Sequence, residues 1–216
     1  MITTAKILRY DGDQLVVAPT EKIGREIQQK QIDTVEIRLN DGRSISADQR
    51  RKIFALVRDI ALWSGHVPEE IRSYLTWDFC SKNECEYFSL SNVDMTTARQ
   101  FLNYLIDFAF THNVPTKDTL LYQTDDIGKY LYYCLEHRKC AICNKHAEVH
   151  HVNRIGMGRD REKIVHVGLL AIALCREHHD MAHMNEKALF EKYFIYGIKL
   201  DKYLCDILKL NTKERS

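Results

Sequence analysis

Cys140-Ala-Ile-Cys143, His150-His151, Cys175-Arg-Glu-His178-His179 and His183 all fall within residues 140–183. The two-residue gap between Cys140 and Cys143 lets both sulfurs reach one ion, and Cys175 and His178 repeat that gap. Two such pairs offer four soft or borderline ligands, the donor set of a closed tetrahedral Zn²⁺ site. One Cys-x-x-Cys alone reads equally as a redox pair or as chance; the pairing favours zinc. Seven of the ten histidines lie between His146 and His183. His179 and His183 are four apart and share a helix face. His150-His151 closes a short apolar run, Ala147–Val149, that reads as a strand. Neighbouring strand residues point to opposite faces, so one of this pair can meet an ion while the other faces a substrate. Three imidazoles with open positions suit a divalent cation that polarises a phosphate oxygen. A fourth, neutral near pH 7, suits a general base.

Away from this window the chain is ordinary. It has 216 residues, 45% hydrophobic and 28% charged, with three Pro and nine Gly. Such a composition is globular and argues against long disordered segments. The net charge of +1 hides an asymmetry. Residues 1–128 hold 15 Lys and Arg against 19 Asp and Glu (−4), and residues 129–216 hold 16 against 11 (+5). Two units with different partners are expected from this. The odd count of seven Cys, beside an N-terminus (MITTAKILRYDGD) without an apolar signal region, predicts a cytoplasmic protein without a disulfide framework. The longest near-continuous apolar run, Val167–Cys175, is about half a membrane span, so no membrane partner is expected.

The pattern predicts an α+β fold. Residues 6–9 and 14–17 read as a hairpin around Asp11-Gly12-Asp13, residues 20–29 as a short helix opened by Thr20, and Thr34–Leu39 as a strand. Ser46 reads as the N-cap of a helix whose apolar positions Ile53, Leu56, Val57 and Ile60 keep helical spacing to Trp63. Pro68 opens another helix, Glu86–Leu90 reads as a strand, and Asp94–Thr111 as a strongly amphipathic helix. Residues 112–123 are the best linker, dividing the chain into domains 1–122 and 123–216. Helices are expected over Asp125–Arg138, Asn185–Tyr193 and Asp201–Leu208.

The cysteine and histidine spacing resembles the phage HNH endonucleases, whose ββα-metal domain carries a zinc knuckle. The resemblance implies that His150, His179 and His183 hold the catalytic ion (Mg²⁺ or another divalent metal) and that His151 is the general base. Cys140, Cys143, Cys175 and His178 would then form the structural Zn²⁺ knuckle. Gly156-Met-Gly-Arg159-Asp-Arg161 resembles a stretch that follows the His pair in those enzymes, where Arg159 and Arg161 would meet phosphate. One position departs from the pattern: the family's central Asn, which pins the loop carrying the base, corresponds here to Leu170.

In the N-terminal half, Arg43-Ser-Ile-Ser-Ala-Asp-Gln49-Arg50-Arg51-Lys52 and the later FSLSNVDMTTARQFLNYLIDFAFTHNV are similar to the NinB/Orf recombination mediators of lambdoid phages, over about residues 30–115. This implies a homodimer that binds single-stranded or branched DNA beside a single-stranded-DNA-binding protein, with Arg43, Arg50, Arg51 and Lys52 on phosphates. The expectation is therefore a phage-type recombination protein, acting in the host cytoplasm, with HNH endonuclease activity on DNA. The rivals are a non-catalytic DNA-binding mediator in which the zinc module only adds affinity, and a stand-alone restriction or homing-type HNH enzyme.

Overall fold

The structure, a computed structural model, describes residues 5–19, 22–35, 43–152 and 164–212. It is α+β, as expected. β1 (Ala5–Tyr10) and β2 (Leu15–Pro19) pair antiparallel. Their turn is closed by the Asp11 N–H on the Gln14 carbonyl and the Gln14 N–H on Asp11 Oδ1. α1 (Gly24–Lys30) follows. Thr34 and Val35 of the expected strand are irregular, and its remaining residues lie outside the described ones.

Three helices then build the N-terminal core: α2 (Ala47–Ser64), α3 (Pro68–Asn83) and α4 (Met95–Thr111). The Ser-Ala-Asp-Gln run that opens α2 is a reciprocal capping box. Ser46 Oγ accepts from the Gln49 N–H and Gln49 Oε1 from the Ser46 N–H, both at 3.0 Å, which satisfies two otherwise orphaned helix donors. The Gln49 amide, only 2% exposed, also donates to the Met95 carbonyl and so ties the start of α2 to the start of α4. Glu86–Leu90 forms no strand. Its carbonyls meet other donors: Glu86 accepts the Cys80 thiol, Ser89 accepts the Asn92 and Val93 N–H groups, and the Arg50 guanidinium donates to the Leu90 and Ser91 carbonyls. Phe88 packs edge-on against Phe79 and Phe101.

α5 (Leu120–Gln123) and α6 (Ile127–Glu136) lead into a three-stranded antiparallel sheet of β3 (Glu148–His151), β4 (Leu170–Leu174) and β5 (Ile198–Lys199), in the order β3-β4-β5. α7 (Arg176–Tyr193) starts directly after β4, and α8 (Lys202–Leu208) follows β5. Among the described residues one cluster of buried hydrophobics runs from Ile45 to Leu208. α4 supplies Phe101, Leu102, Leu105 and Ile106 to it, α6 supplies Leu131 and Leu135, and β4 supplies Ala171 to Leu174. Residues 112–123, read from sequence as a linker, bury Val114, Leu120 and Leu121 in the same cluster. Among the described residues no helix is long and apolar enough to cross a membrane.

One close approach braces the sheet beside the histidines. A Cβ on Gly197 would lie 2.5 Å from Val152 Cγ2, closer than real carbon contacts allow. Gly197→Ala is therefore expected to cost about 1–3 kcal/mol by overpacking. The double variant with Val152→Ala should recover most of that loss. Thermal unfolding of the single and double variants checks both statements.

Candidate metal centre

The first donor set is assembled by a tight turn and a helix start. The Asn144 N–H bonds to the Cys140 carbonyl and the Cys140 N–H to the Lys145 carbonyl, curling residues 140–145 into a knuckle. The turn needs a left-handed backbone at Asn144 (φ 58°), which Asn adopts more readily than most residues. Three bonds dock it: the Ala141 N–H to the Ala173 carbonyl of β4, the fully buried Tyr130 hydroxyl to the Ala141 carbonyl, and the Asn144 amide to Tyr130 Oη. Cys175 is the N-cap residue of α7, and His178 lies in its first turn.

The ligand atoms of Cys140, Cys143, Cys175 and His178 lie within 4.8 Å of one another. Cys143 Sγ is 3.7 Å from Cys175 Sγ, and His178 Nδ1 is 3.1 Å from Cys175 Sγ and 3.5 Å from Cys140 Sγ. With zinc–sulfur bonds of about 2.3 Å, the sulfur–sulfur edge of a tetrahedron is about 3.8 Å. The donor set therefore fits a tetrahedral ion, and its residues are buried or half-buried, as a closed site requires. Burial pushes the Cys143 thiol up to about 12 and raises Cys140 as well. Without a cation these sulfurs hold their protons at neutral pH, so metal uptake must release them.

The second set is open. His150 on β3 and His179 and His183 on α7 bring their ligand atoms within 4.8 Å of one another. Their rings lie 4.7 to 5.3 Å apart, centroid to centroid. His150 is 4% exposed, whereas His183 faces solvent, so the cluster is walled on one side and accessible on the other. Two ring nitrogens, His150 Nδ1 and His179 Nδ1, are buried without a hydrogen-bond partner. Glu148 Oε2 stands 3.6 Å from His179 Nδ1, beyond hydrogen-bond length. Orphaned buried nitrogens are costly, and a cation between the rings would satisfy them.

The other nitrogen of His150 is accounted for. Its Nε2 lies 2.8 Å from Glu186 Oε2, an arrangement that fixes the tautomer and leaves Nδ1 as the ligating atom. α7 breaks at Asn185 (φ −157°, ψ 85°), whose side chain recaps the following turn by accepting from the Ala188 N–H. Glu186, at the start of that turn, meets His150 from there. Burial, and then the imidazoles of His150 and His183, hold the pKa of His179 below its ordinary value. Its ring is therefore neutral near pH 7, the form that binds metal.

Of the residues singled out in the sequence, the structure thus brings together two groups: Cys140, Cys143, Cys175 and His178, and His150, His179 and His183. His151 is the last residue of β3, opposite Ala171, and its ring meets that of His166. Leu170 opens β4 and accepts the Val152 N–H on its carbonyl. The basic run at the start of α2 belongs to neither donor set. Arg50 holds the Leu90 and Ser91 carbonyls, Arg51 pairs with Asp48, and Lys52 donates to Asp125 and Thr124 and pairs with Asp48. The Arg43 carbonyl accepts from the Met95 N–H. Arg159 and Arg161 lie outside the described residues.

Sequence reasoning missed Glu186 and His166. Glu186 carried a signal, because His179, His183 and Glu186 follow one another at helical spacings of four and three. His166 carried none. A third group, Asp107, Glu136 and His137, is already paired: His137 Nε2 lies 2.7 Å from Asp107 Oδ1, and Glu136 accepts the Tyr203 hydroxyl.

A family model described as "Putative HNHc nuclease" matches residues 19–211, a span that includes both donor sets and the helices before them. No curated protein and no solved structure matches the chain significantly.

Proposed function

This chain belongs to the HNHc nuclease family, and from that membership we propose that it is a divalent-metal-dependent endonuclease hydrolysing DNA phosphodiester bonds. The observation that supports this reading most is the contrast between the two donor sets. One is sulfur-rich and enclosed. The other is three imidazoles with a solvent-facing side and two orphaned buried nitrogens. A closed site is structural, and an open one leaves positions for substrate.

In this reading Cys140, Cys143, Cys175 and His178 hold Zn²⁺, which staples the knuckle to the start of α7. His150, His179 and His183 hold Mg²⁺ or another divalent ion. When bound there, such an ion offsets the negative charge that builds on the phosphate and on the leaving oxygen. His151 takes the proton from the attacking water. The water oxygen bonds to phosphorus, the bond from phosphorus to the 3′ oxygen breaks, and that oxygen is protonated from solvent. Glu186 holds the ring of His150 in its ligating orientation. Arg50 and Lys52 serve the scaffold through the contacts described above, and phosphate contacts are assigned to Arg159 and Arg161.

The resemblance of the N-terminal half to recombination mediators adds a proposal about substrate: branched or single-stranded DNA is cut in preference to linear duplex, at no fixed sequence. A nicking assay on supercoiled plasmid with Mg²⁺, Mn²⁺ or Ni²⁺, beside EDTA, tests the reading. Open-circular product with cation and none with EDTA is expected. Intact plasmid and intact branched DNA under every cation would leave a non-catalytic DNA-binding protein. Replacing either His179 or His183 by Ala is expected to lower cleavage while preserving the zinc of the knuckle, since neither belongs to its donor set. Metal content measured beside the nicking rate checks this.

A further inference from the structure

A cleft of about 300 Å³ lies between the end of α4, the segment 113–119 and the knuckle. Its inner side is apolar, with Phe110, Val114 and Leu120 all buried. Its rim carries Lys117, exposed, and Lys139, half-buried. Neither lysine makes an ion pair among the described residues, and Lys139 Nζ donates to a neutral oxygen, Asn113 Oδ1, at 2.6 Å. Thr119 also lines the cleft. It holds the N-cap position of α5, yet its hydroxyl caps nothing. Thr119 Oγ1 is buried and meets no hydrogen-bond partner among the described residues. The wall that carries these groups is pinned at two points. The Lys117 N–H donates to Oδ2 of the buried Asp59 on α2, and the Leu120 N–H donates to Asn144 Oδ1 of the knuckle.

A buried hydroxyl without a partner is costly, and it points to a group that arrives from outside. Two ammonium groups on the same cleft select an anion. Their charge also selects among phosphates. A terminal phosphate carries nearly two negative charges at neutral pH, whereas a backbone phosphodiester carries one. Lys117 and Lys139 against Asp118, the acid among the lining residues, leave one positive charge. We infer that this cleft binds a single phosphodiester of a DNA backbone. The two ammonium groups offset its charge, the Thr119 hydroxyl donates to a phosphate oxygen, and the apolar wall covers the adjoining nucleotide. The volume is at the lower end for ligand sites, which suits one nucleotide of a longer strand. The choice of DNA as the ligand rests on the nuclease reading above. None of His150, His179 and His183 lines the cleft. Its task is therefore to fix where the strand lies, and such a contact carries no sequence information.

Binding of fluorescein-labelled single-stranded and duplex oligonucleotides tests this without cleavage, using the full-length, zinc-loaded protein with no other divalent cation added. Lys117→Ala keeps the backbone bond to Asp59 and removes the ammonium group. Thr119→Val keeps the side-chain shape and removes the hydroxyl. Each is expected to weaken binding on the order of tenfold, the scale of one hydrogen bond to a charged group, and equally for unrelated sequences. In Lys117→Ala the slope of log affinity against log salt should fall by about 1. Thr119→Val should melt no lower than the wild type, because the hydroxyl it removes has no partner in the free protein. Wild-type affinity in either variant would overturn the inference. So would a loss of affinity in Thr119→Val matched by a fall in melting temperature, which would mark a packing role. Thymidine 5′-monophosphate as competitor separates the two sources of a phosphate ester. It should displace the oligonucleotide weakly; tight binding that Lys117→Ala abolishes, with oligonucleotide affinity unchanged, would make this a free-nucleotide site and overturn the assignment to DNA. Plasmid nicking on the same preparations keeps the two readings apart. If the wild type cuts and both variants bind DNA as it does, this inference alone fails. If the wild type binds DNA through the cleft and cuts nothing, the nuclease reading alone fails.

Discussion

Cys140→Ser and Cys175→Ser are each expected to abolish zinc binding and to unfold the carboxyl-terminal part of the chain. Structural zinc supplies folding free energy on the order of 10 kcal/mol, comparable to the whole stability of an ordinary domain. The dependence is direct here. The knuckle is docked through the Ala141 N–H on Ala173 and Tyr130 on Ala141, and Cys175 sits where β4 turns into α7. Loosening the sulfurs frees the strand that carries the hairpin and the helix that carries two of the three open imidazoles. The measurement is thermal unfolding with zinc quantified by mass spectrometry, in the variants and in wild type treated with chelator. Zinc uptake should release protons, because burial keeps Cys140 and Cys143 protonated in its absence. Affinity should therefore weaken as pH falls. A Cys140→Ser protein that melts like wild type would remove the knuckle.

The second large effect is on turnover. His151→Ala is expected to lower DNA cleavage by about 10²–10⁴-fold, the contribution of a placed general base. It should leave zinc content and DNA affinity nearly unchanged. The reason is placement: His151 belongs to neither donor set. Nicking rate, gel-shift affinity and metal content on one preparation check all three. A variant that cuts at the wild-type rate would move the base to another group, with His166 the first candidate.

Several features of this site could be read before any coordinates. The paired two-residue gaps singled out Cys140, Cys143, Cys175 and His178, and the four-residue spacing placed His179 and His183 on one face. The structure adds His150 to that face from a different element. Ser46 was legible as a cap, and the apolar period of α4 marked the residues that form the core. The basic run Arg50-Arg51-Lys52 read as a phosphate surface; in the structure Arg50 and Lys52 meet partners 40 to 73 residues away in Leu90, Ser91 and Asp125, and Arg51 and Lys52 pair with nearby Asp48. Where a strand was expected at Glu86–Leu90, Arg50 takes the Leu90 carbonyl and the turn into α4 takes that of Ser89.

Spacing within a turn or a helix is a local quantity. A gap of two or four residues dictates which side chains share a direction, whatever the rest of the chain does, so the pairs Cys140–Cys143, Cys175–His178 and His179–His183 were visible in the order of residues. The longer contacts around the site obey no such rule. Glu186 reaches His150 across 36 positions and His166 reaches His151 across 15. The first contact depends on a helix broken at Asn185, the second on a loop tied to the Asn211 and Leu200 carbonyls. Contacts closed over such distances follow from how the packed elements meet, and no period in the chain announces them.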